Sequence, residues 1–143
     1  MILNSETRYD LQTKLWREAN HSVTFMAGDR WSYTLGHRYL REIPGFGPDS
    51  GNNLIYSSLY YRFSENWGVR TRHYFEARDG VMEEQQYSLY RDLRSFTAAL
   101  TFRVRESRTG PTDYTIALTA SLKAFPRFGL GQDANNAGLL LGY

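Results

Sequence analysis

The sequence lacks several residue types and patterns, and each absence narrows the possible folds. It contains no cysteine, which excludes a disulfide framework and thiolate metal sites, and it has only 4 prolines and 3 methionines in 143 residues. No apolar run approaches the roughly 20 residues that a transmembrane helix needs, so a helical membrane protein is excluded. The mean hydropathy of -0.55 still permits strands that cross a membrane, because only every second residue of such a strand meets lipid.

The sequence also lacks a large excess of charge of one sign, because 17 Lys and Arg residues stand against 15 Asp and Glu residues. The formal net charge of +2 comes without a basic cluster, and we therefore expect no nucleic-acid partner. Residues 1–6 lack the basic start and the apolar stretch of a secretory signal. If the protein is exported, we expect the chain to be a fragment or a mature segment.

Aromatic residues are abundant: 11 Tyr, 8 Phe and 3 Trp give a composition that favours strands. Apolar residues recur at every second position in segments of about ten residues separated by turn residues. In 67–78, for example, Trp67 and Val69 lie on one face, and Arg70 and Arg72 lie on the other. The alternation predicts eight strands, at 8–17, 21–27, 31–40, 54–63, 67–78, 83–90, 94–105 and 114–123.

Alternating strands suit either a soluble antiparallel sandwich or a transmembrane barrel. Strands of 9 to 12 residues have the length that crosses a bilayer at a tilt, and short turns alternate with longer loops at 41–53 and 106–112. Aromatic residues flank the short turns, as in an interfacial girdle; they are Trp31, Phe63, Trp67 and Phe96.

We therefore predict an all-β fold, an antiparallel up-and-down meander of about eight strands that forms a transmembrane β-barrel in the bacterial outer membrane. The strands occupy residues 1–125, and residues 126–143 form a C-terminal tail.

Four segments resemble a known family: 36–40 (GHRYL), 54–62 (LIYSSLYYR), 75–80 (FEARDG) and 90–95 (YRDLRS). They are similar to the C-terminal barrel region of the outer-membrane lipopolysaccharide-assembly protein, also called the organic solvent tolerance protein. The resemblance spans roughly residues 7–125. It implies that the chain is the C-terminal part of a larger barrel, which translocates lipopolysaccharide and assembles it at the cell surface. It also implies a lipoprotein plug, periplasmic bridge proteins and a lateral opening between the first and last strands.

The face opposite the apolar residues is predicted to line the barrel interior. Arginine on this face suits recognition of the phosphate groups of an anionic glycolipid. The alternative is that these charges pair with one another and only keep the interior polar. The interior residues that we single out are Arg38, Arg62, Arg70, Arg72, Glu76, Arg78, Arg103 and Arg105.

A second group, His37, Ser57 and His73, is predicted to form a polar row on the lipid side. Pairing 63 with 67 across the short turn would place Ser57 opposite His73, and pairing 39 with 55 across the long loop would place His37 opposite Ser57. A serine beside a histidine is the minimum for a lipid hydrolase. No carboxylate lies on that face to orient an imidazole, so we expect contact with lipid headgroups rather than catalysis. We expect no enzyme activity, no cofactor and no metal.

Two alternative functions remain open at the level of sequence. One is a small, self-contained, eight-stranded outer-membrane barrel with a structural, adhesion or lipid-esterase role. The other is a soluble β-sandwich.

Overall fold

The computed structural model describes residues 1–42, 51–107, 110–124 and 129–130, and in these residues the fold is all-β. Antiparallel strands follow one another in a single up-and-down sheet, each hydrogen-bonded to the strand before it. The strands are β1 Ile2–Asp10, β2 Leu15–Ala27, β3 Trp31–Leu40, β4 Asn52–Arg62, β5 Trp67–Glu76, β6 Val81–Asp92, β7 Phe96–Arg105, β8 Asp113–Leu122 and the two-residue β9 Gly129–Leu130. No helix long and apolar enough to cross a membrane occurs in these parts of the chain.

The predicted antiparallel meander of eight long strands is confirmed. The predicted strand at 31–40 is β3, and the later predicted strands overlap β4 to β8 with ends displaced by a few residues. The short turn forms as expected at 28–30, where Gly28 takes a φ of 57°. The turn expected after residue 78 begins two residues earlier and covers 77–80, where Gly80 takes a φ of 68°. Both values lie in the left-handed region that glycine adopts without strain. Residue alternation therefore sets most of the sheet.

The N-terminal prediction was wrong, because the predicted strand at 8–17 is interrupted by a turn at 11–14. The Asp10 carboxylate accepts hydrogen bonds from the backbone N–H groups of Gln12 at 2.9 Å and Thr13 at 3.3 Å. Such an Asx turn stops a strand, and Lys14 completes the reversal with φ 53. The predicted connection at 18–20 lies inside β2 instead.

The sheet is strongly curled. Arg38 on β3 and Thr115 on β8 line the same hollow, although strands five positions apart in a flat sheet would lie about 24 Å apart. We call the inner side the concave face and the outer side the convex face. Among the described residues, β1 pairs only with β2, and neither β8 nor β9 pairs with β1. Within these residues the curled sheet is therefore open, with unpaired edges at β1 and at the β8–β9 end.

Tyrosine rings lying over glycines pack the concave face. Tyr56 lies directly opposite Gly36 on the neighbouring strand, and a Cβ atom added at Gly36 would fall inside the Tyr56 ring. At Gly68 an added Cβ atom would come within 3.2 Å of the Tyr60 ring. At Gly36 the ring occupies the space of a side chain, whereas at Gly68 the ring would have to move by a few tenths of an ångström to admit one.

Candidate functional site

The concave face buries polar side chains. Only two apolar residues in the described parts of the chain are buried, Leu54 and Ala99. Seven buried residues are polar or charged, and all of them lie on β6 to β8 or at the end of β5. These seven are Glu76, Gln86, Ser88, Thr97, Thr101, Thr119 and Ser121. Their hydroxyls pair across strands, as where Ser88 and Thr101 lie 2.9 Å apart. The interior of the curl is thus polar.

The convex face shows the opposite pattern, because its large apolar side chains are exposed. Leu100 on β7 is 49% exposed and Leu118 on β8 is 75% exposed. They are neighbours on one face, since the register pairs Leu100 with both Leu89 and Leu118. No element in the described residues covers this row. The apolar face therefore has no protein core to pack against.

Aromatic side chains lie on the convex face beside the short turns at 28–30, 63–66 and 93–95. Trp31 pairs with Tyr61 across β3 and β4. The Phe63 and Trp67 rings stack with centroids 6.5 Å apart, and the Arg91 guanidinium lies 4.9 Å from the Trp67 ring centroid. These residues form one aromatic band at this end of the sheet.

The register places seven of the predicted interior residues on the concave face, and Arg78 follows β5 in the adjoining turn. Three of the arginines are tied to partners. Arg62 lies 3.5 Å from the Asp29 carboxylate, Arg105 lies 3.9 Å from that of Glu84, and Arg78 pairs with the Glu42 carboxylate. These three support the expectation that some of the charges only pair with each other.

The other four predicted arginines form no ion pair among the described residues. The Arg70 guanidinium instead lies over the Tyr60 ring, 5.4 Å from its centroid. Arg103 makes one long hydrogen bond, from Nη2 to the Thr115 hydroxyl at 3.5 Å. The Nε atoms of Arg70 and Arg103 are buried without a hydrogen-bond partner. Part of the concave charge is therefore unbalanced; these four residues are Arg38, Arg70, Arg72 and Arg103.

Glu76 has a structural role that the sequence did not reveal. Its side chain is fully buried, and its two carboxylate oxygens accept hydrogen bonds from the Asn53 backbone N–H at 2.9 and 3.0 Å. The backbone N–H of Arg78 donates to the same carboxylate at 3.2 Å, and the Arg78 side chain also donates to the carbonyl of Gly51. Glu76 thus fastens the start of β4 to the end of β5.

A hollow of about 350 Å³ opens on the concave face between β3 and β8. Four arginines reach it, accompanied by two carboxylates, so its walls carry an excess of positive charge. Its lining residues are Arg38, Leu54, Arg72, Tyr74, Glu83, Glu84, Gln86, Thr101, Arg103, Arg105, Thr115 and Ala117.

The expected polar row on the convex face forms only in part. Ser57 lies opposite His73, as the short β4–β5 turn requires. The expected pairing of His37 with Ser57 is wrong, because the β3–β4 register places His37 opposite Ile55. His37 Nε2 lies 2.6 Å from Asn53 Oδ1, and His73 Nε2 lies 3.2 Å from the Tyr87 hydroxyl. In the described residues neither imidazole is hydrogen-bonded to Ser57.

Sequence reasoning missed two members of this convex polar region. Ser5 Oγ lies 2.9 Å from Nδ1 of His21, and His21 lies opposite His37 on β3. Ser5 was missed because β1 itself was not predicted, and His21 was not included in the row although it lies in the strand predicted at 21–27. No group of three or more His, Cys, Asp and Glu side chains in the described ranges is arranged to hold a metal ion.

A comparison of the sequence with protein-family models gives no match, and a comparison with curated proteins gives none either. The family resemblance of the four segments therefore stays a prediction from the sequence.

Proposed function

We propose that this chain is part of the wall of a bacterial outer-membrane β-barrel, with the convex face against lipid and the concave face towards a watery interior. The observation that carries the proposal is the inverted distribution of polarity. The buried residues of the described chain are mostly polar, and its large apolar residues are mostly exposed. This arrangement suits lipid outside and water inside.

The alternative of a soluble sandwich fits this distribution poorly. A sandwich buries the apolar faces of two sheets against each other, whereas here one sheet turns its polar face inwards. In water, a contiguous apolar surface of more than a few hundred Å² promotes aggregation. Exposed side chains such as Leu35, Leu59, Leu100 and Leu118 would form such a surface.

Strand length and the aromatic band support the same placement. Four of the strands, β3, β5, β7 and β8, have 10 residues each, and ten residues span about 34 Å along the strand, or about 26 Å at a tilt of about 40°. The apolar band of an outer-membrane barrel has about this height. The aromatic band would lie at one membrane interface, which we assign to the periplasmic side because the shorter turns lie there.

The free edges bear on the size of the barrel. In lipid, an unpaired backbone N–H or C=O group costs several kcal/mol, so an open sheet edge is not stable there. We propose that β1 pairs with a strand of the remaining barrel, as expected for the C-terminal part of a larger barrel. A self-contained small barrel would instead require β1 to pair with the β8–β9 end.

The transport function is the finer part of the proposal. We propose that the parent barrel translocates and assembles lipopolysaccharide at the cell surface, with a lipoprotein plug and periplasmic bridge proteins as partners. The four segment resemblances suggest this function. The unpaired arginines of the concave face support it, because guanidinium groups bind phosphate well.

Tryptophan quenching by brominated lipid tests the membrane placement. Variants of the parent barrel that retain Trp67, or carry Leu118→Trp, as their sole tryptophan are refolded into phosphatidylcholine vesicles with bromine at defined acyl depths. We expect shallow bromine to quench Trp67 and deep bromine to quench the tryptophan at position 118. The matched control is Tyr60→Trp on the concave face, which should escape quenching. Equal quenching of convex and concave tryptophans, or none at all, would reject the proposal.

A further inference from the structure

On three neighbouring strands, two arginines flank one buried glutamine side chain. The register pairs Arg72 on β5 with Gln86 on β6, and Gln86 with Arg103 on β7. All three side chains therefore lie on the concave face, with Gln86 only 8% exposed. Two strand spacings separate the arginine Cα atoms by about 10 Å. Guanidinium groups on long side chains can reach a common ligand across that distance.

Arg72 and Arg103 differ from Arg105 on the same face because no carboxylate pairs with them in the described residues. Arg103 also buries its Nε atom without a hydrogen-bond partner. A buried polar group without a partner is costly, and in native proteins it commonly marks the place of a water molecule or an ion. Two positive charges beside each other favour an anion at that place.

The space beside this pair suits a ligand larger than water. Arg72 and Arg103 both line the hollow of about 350 Å³, which is within the range of small-molecule sites. Arg38 lines it from β3 and also forms no ion pair with any residue that the structure describes. The Thr115 hydroxyl, which Arg103 contacts at 3.5 Å, adds a neutral hydrogen-bonding group. Glu84 in the same wall lies nearest to Arg105, at 3.9 Å.

We propose that Arg72 and Arg103, with Arg38 across the hollow, form a binding site for a phosphate group. The planar guanidinium fork donates two parallel hydrogen bonds to phosphate oxygens, and three arginines can balance the double charge of a phosphate monoester. The site rests on the proposed function in one respect, since it requires the concave face to be in contact with water. The phosphate belongs either to a lipid headgroup or to a free anion.

Titration of the refolded parent barrel, which contains this chain, with inorganic phosphate tests the site. The chain is held in non-ionic detergent at low salt, and ³¹P line broadening reports binding. We expect saturable binding that weakens at least about tenfold in Arg72→Gln/Arg103→Gln, because the variant loses two charged donors of hydrogen bonds to the phosphate oxygens. The matched control is Arg62→Gln on the same face, whose guanidinium already faces Asp29 at 3.5 Å; it should bind as the wild type does.

Two outcomes would overturn the site: no saturable phosphate binding by the wild-type chain, or equal weakening in Arg62→Gln and in the double variant. Lipid A added to the same micelles distinguishes the sources of phosphate. Displacement of inorganic phosphate by lipid A identifies a lipid headgroup, and retained binding without displacement identifies a free anion.

The membrane proposal and the phosphate site fail separately. The double variant changes only the concave face, so its tryptophan quenching by brominated lipid should equal that of the wild type. Normal quenching without phosphate binding would overturn the site alone. Phosphate binding that depends on Arg72 and Arg103, in a chain whose convex tryptophans escape quenching, would overturn the membrane placement alone.

Discussion

The two faces of the sheet have the same backbone but opposite relations between polarity and exposure. On the concave face, Ser88 is 2% exposed and Thr101 is 4% exposed. On the convex face, Leu100 precedes Thr101 directly and is 49% exposed. One step along β7 thus passes from a buried hydroxyl to an exposed isobutyl group. Burial in this protein follows the curvature of the sheet rather than hydrophobicity.

This difference matters because the hydrophobic effect alone would not select the observed curl in water. Curling the sheet the other way would bury the leucine rows and would gain roughly 25 cal/mol for each Å² of apolar surface removed from water. A surrounding apolar solvent removes that advantage. The two faces can therefore be compared by substitutions that leave the backbone unchanged.

The largest effect is expected where the concave face buries a charge. Glu76→Ala removes the acceptor for the backbone N–H groups of Asn53 and Arg78, and it leaves the Arg78 guanidinium without this partner. We expect a loss of about 3–5 kcal/mol in the free energy of unfolding, measured by urea titration in lipid vesicles. The control is Glu6→Ala, whose side chain is 62% exposed in its pair with Arg8 and should cost at most about 1 kcal/mol. Similar costs for both variants would contradict the buried role of Glu76.

The next effect concerns the convex face alone. Leu118→Arg places a charge on the face proposed to meet lipid, near the middle of β8, and should cost about 2–4 kcal/mol in a bilayer. Ala117→Arg is one residue away, but its side chain lines the watery hollow and should have a much smaller effect. The same urea titration compares them. If the two variants were equally stable in vesicles, the assignment of lipid to the convex face would be wrong.

A smaller effect is expected where the concave face packs an aromatic ring over a glycine. Gly36→Ala puts a methyl group into the space of the Tyr56 ring, and we expect a loss of about 1–3 kcal/mol. In a Tyr56→Ala background the same substitution should cost little, because the ring is gone. A double-mutant cycle measures this coupling. An unchanged cost in the Tyr56→Ala background would show that the ring does not enforce glycine at this position.

The smallest effect is expected in the aromatic band. Arg91→Gln removes the guanidinium that lies 4.9 Å from the Trp67 ring centroid, which should cost about 0.5–1 kcal/mol. The change should also alter the fluorescence maximum of Trp67. Arg94→Gln in the adjacent turn is the control and should have no effect on either measurement. A response of Trp67 to Arg94→Gln as large as to Arg91→Gln would argue against the cation–π contact.

The sequence predicts strands well where a short turn and a regular alternation coincide. β3 is predicted to the residue because Gly28 begins the turn after β2 and Trp31 begins a clear alternation. β1 is missed because its Asn4, Ser5, Glu6 and Thr7 give no apolar alternation. Its pairing with β2 is a tertiary effect that propensity does not encode.

The pairing register of neighbouring strands could be predicted only where a short turn connects them. The short turn between β4 and β5 leaves one pairing, so Ser57 was correctly placed opposite His73. The long connection between β3 and β4 does not fix the pairing, and His37 was misplaced by two residues as a result. The faces of the arginines followed from alternation alone. Which of them lack a carboxylate partner depends on contacts between strands and was not visible in the sequence.

The neighbour-only strand order also has a consequence for the order of assembly. Each strand pairs with its immediate predecessor in the chain, so every pairing step closes only a short loop and has a small entropic cost. Such a sheet can grow as a succession of hairpins, a route that low contact order makes fast. The exception is the hairpin of β3 and β4, whose connection is the longest in the sheet. The fully buried carboxylate of Glu76, the last residue of β5, accepts hydrogen bonds from the backbone N–H of Asn53 near the start of β4. We therefore expect growth of the sheet beyond the β3–β4 hairpin to become effectively irreversible only after β5 has paired with β4.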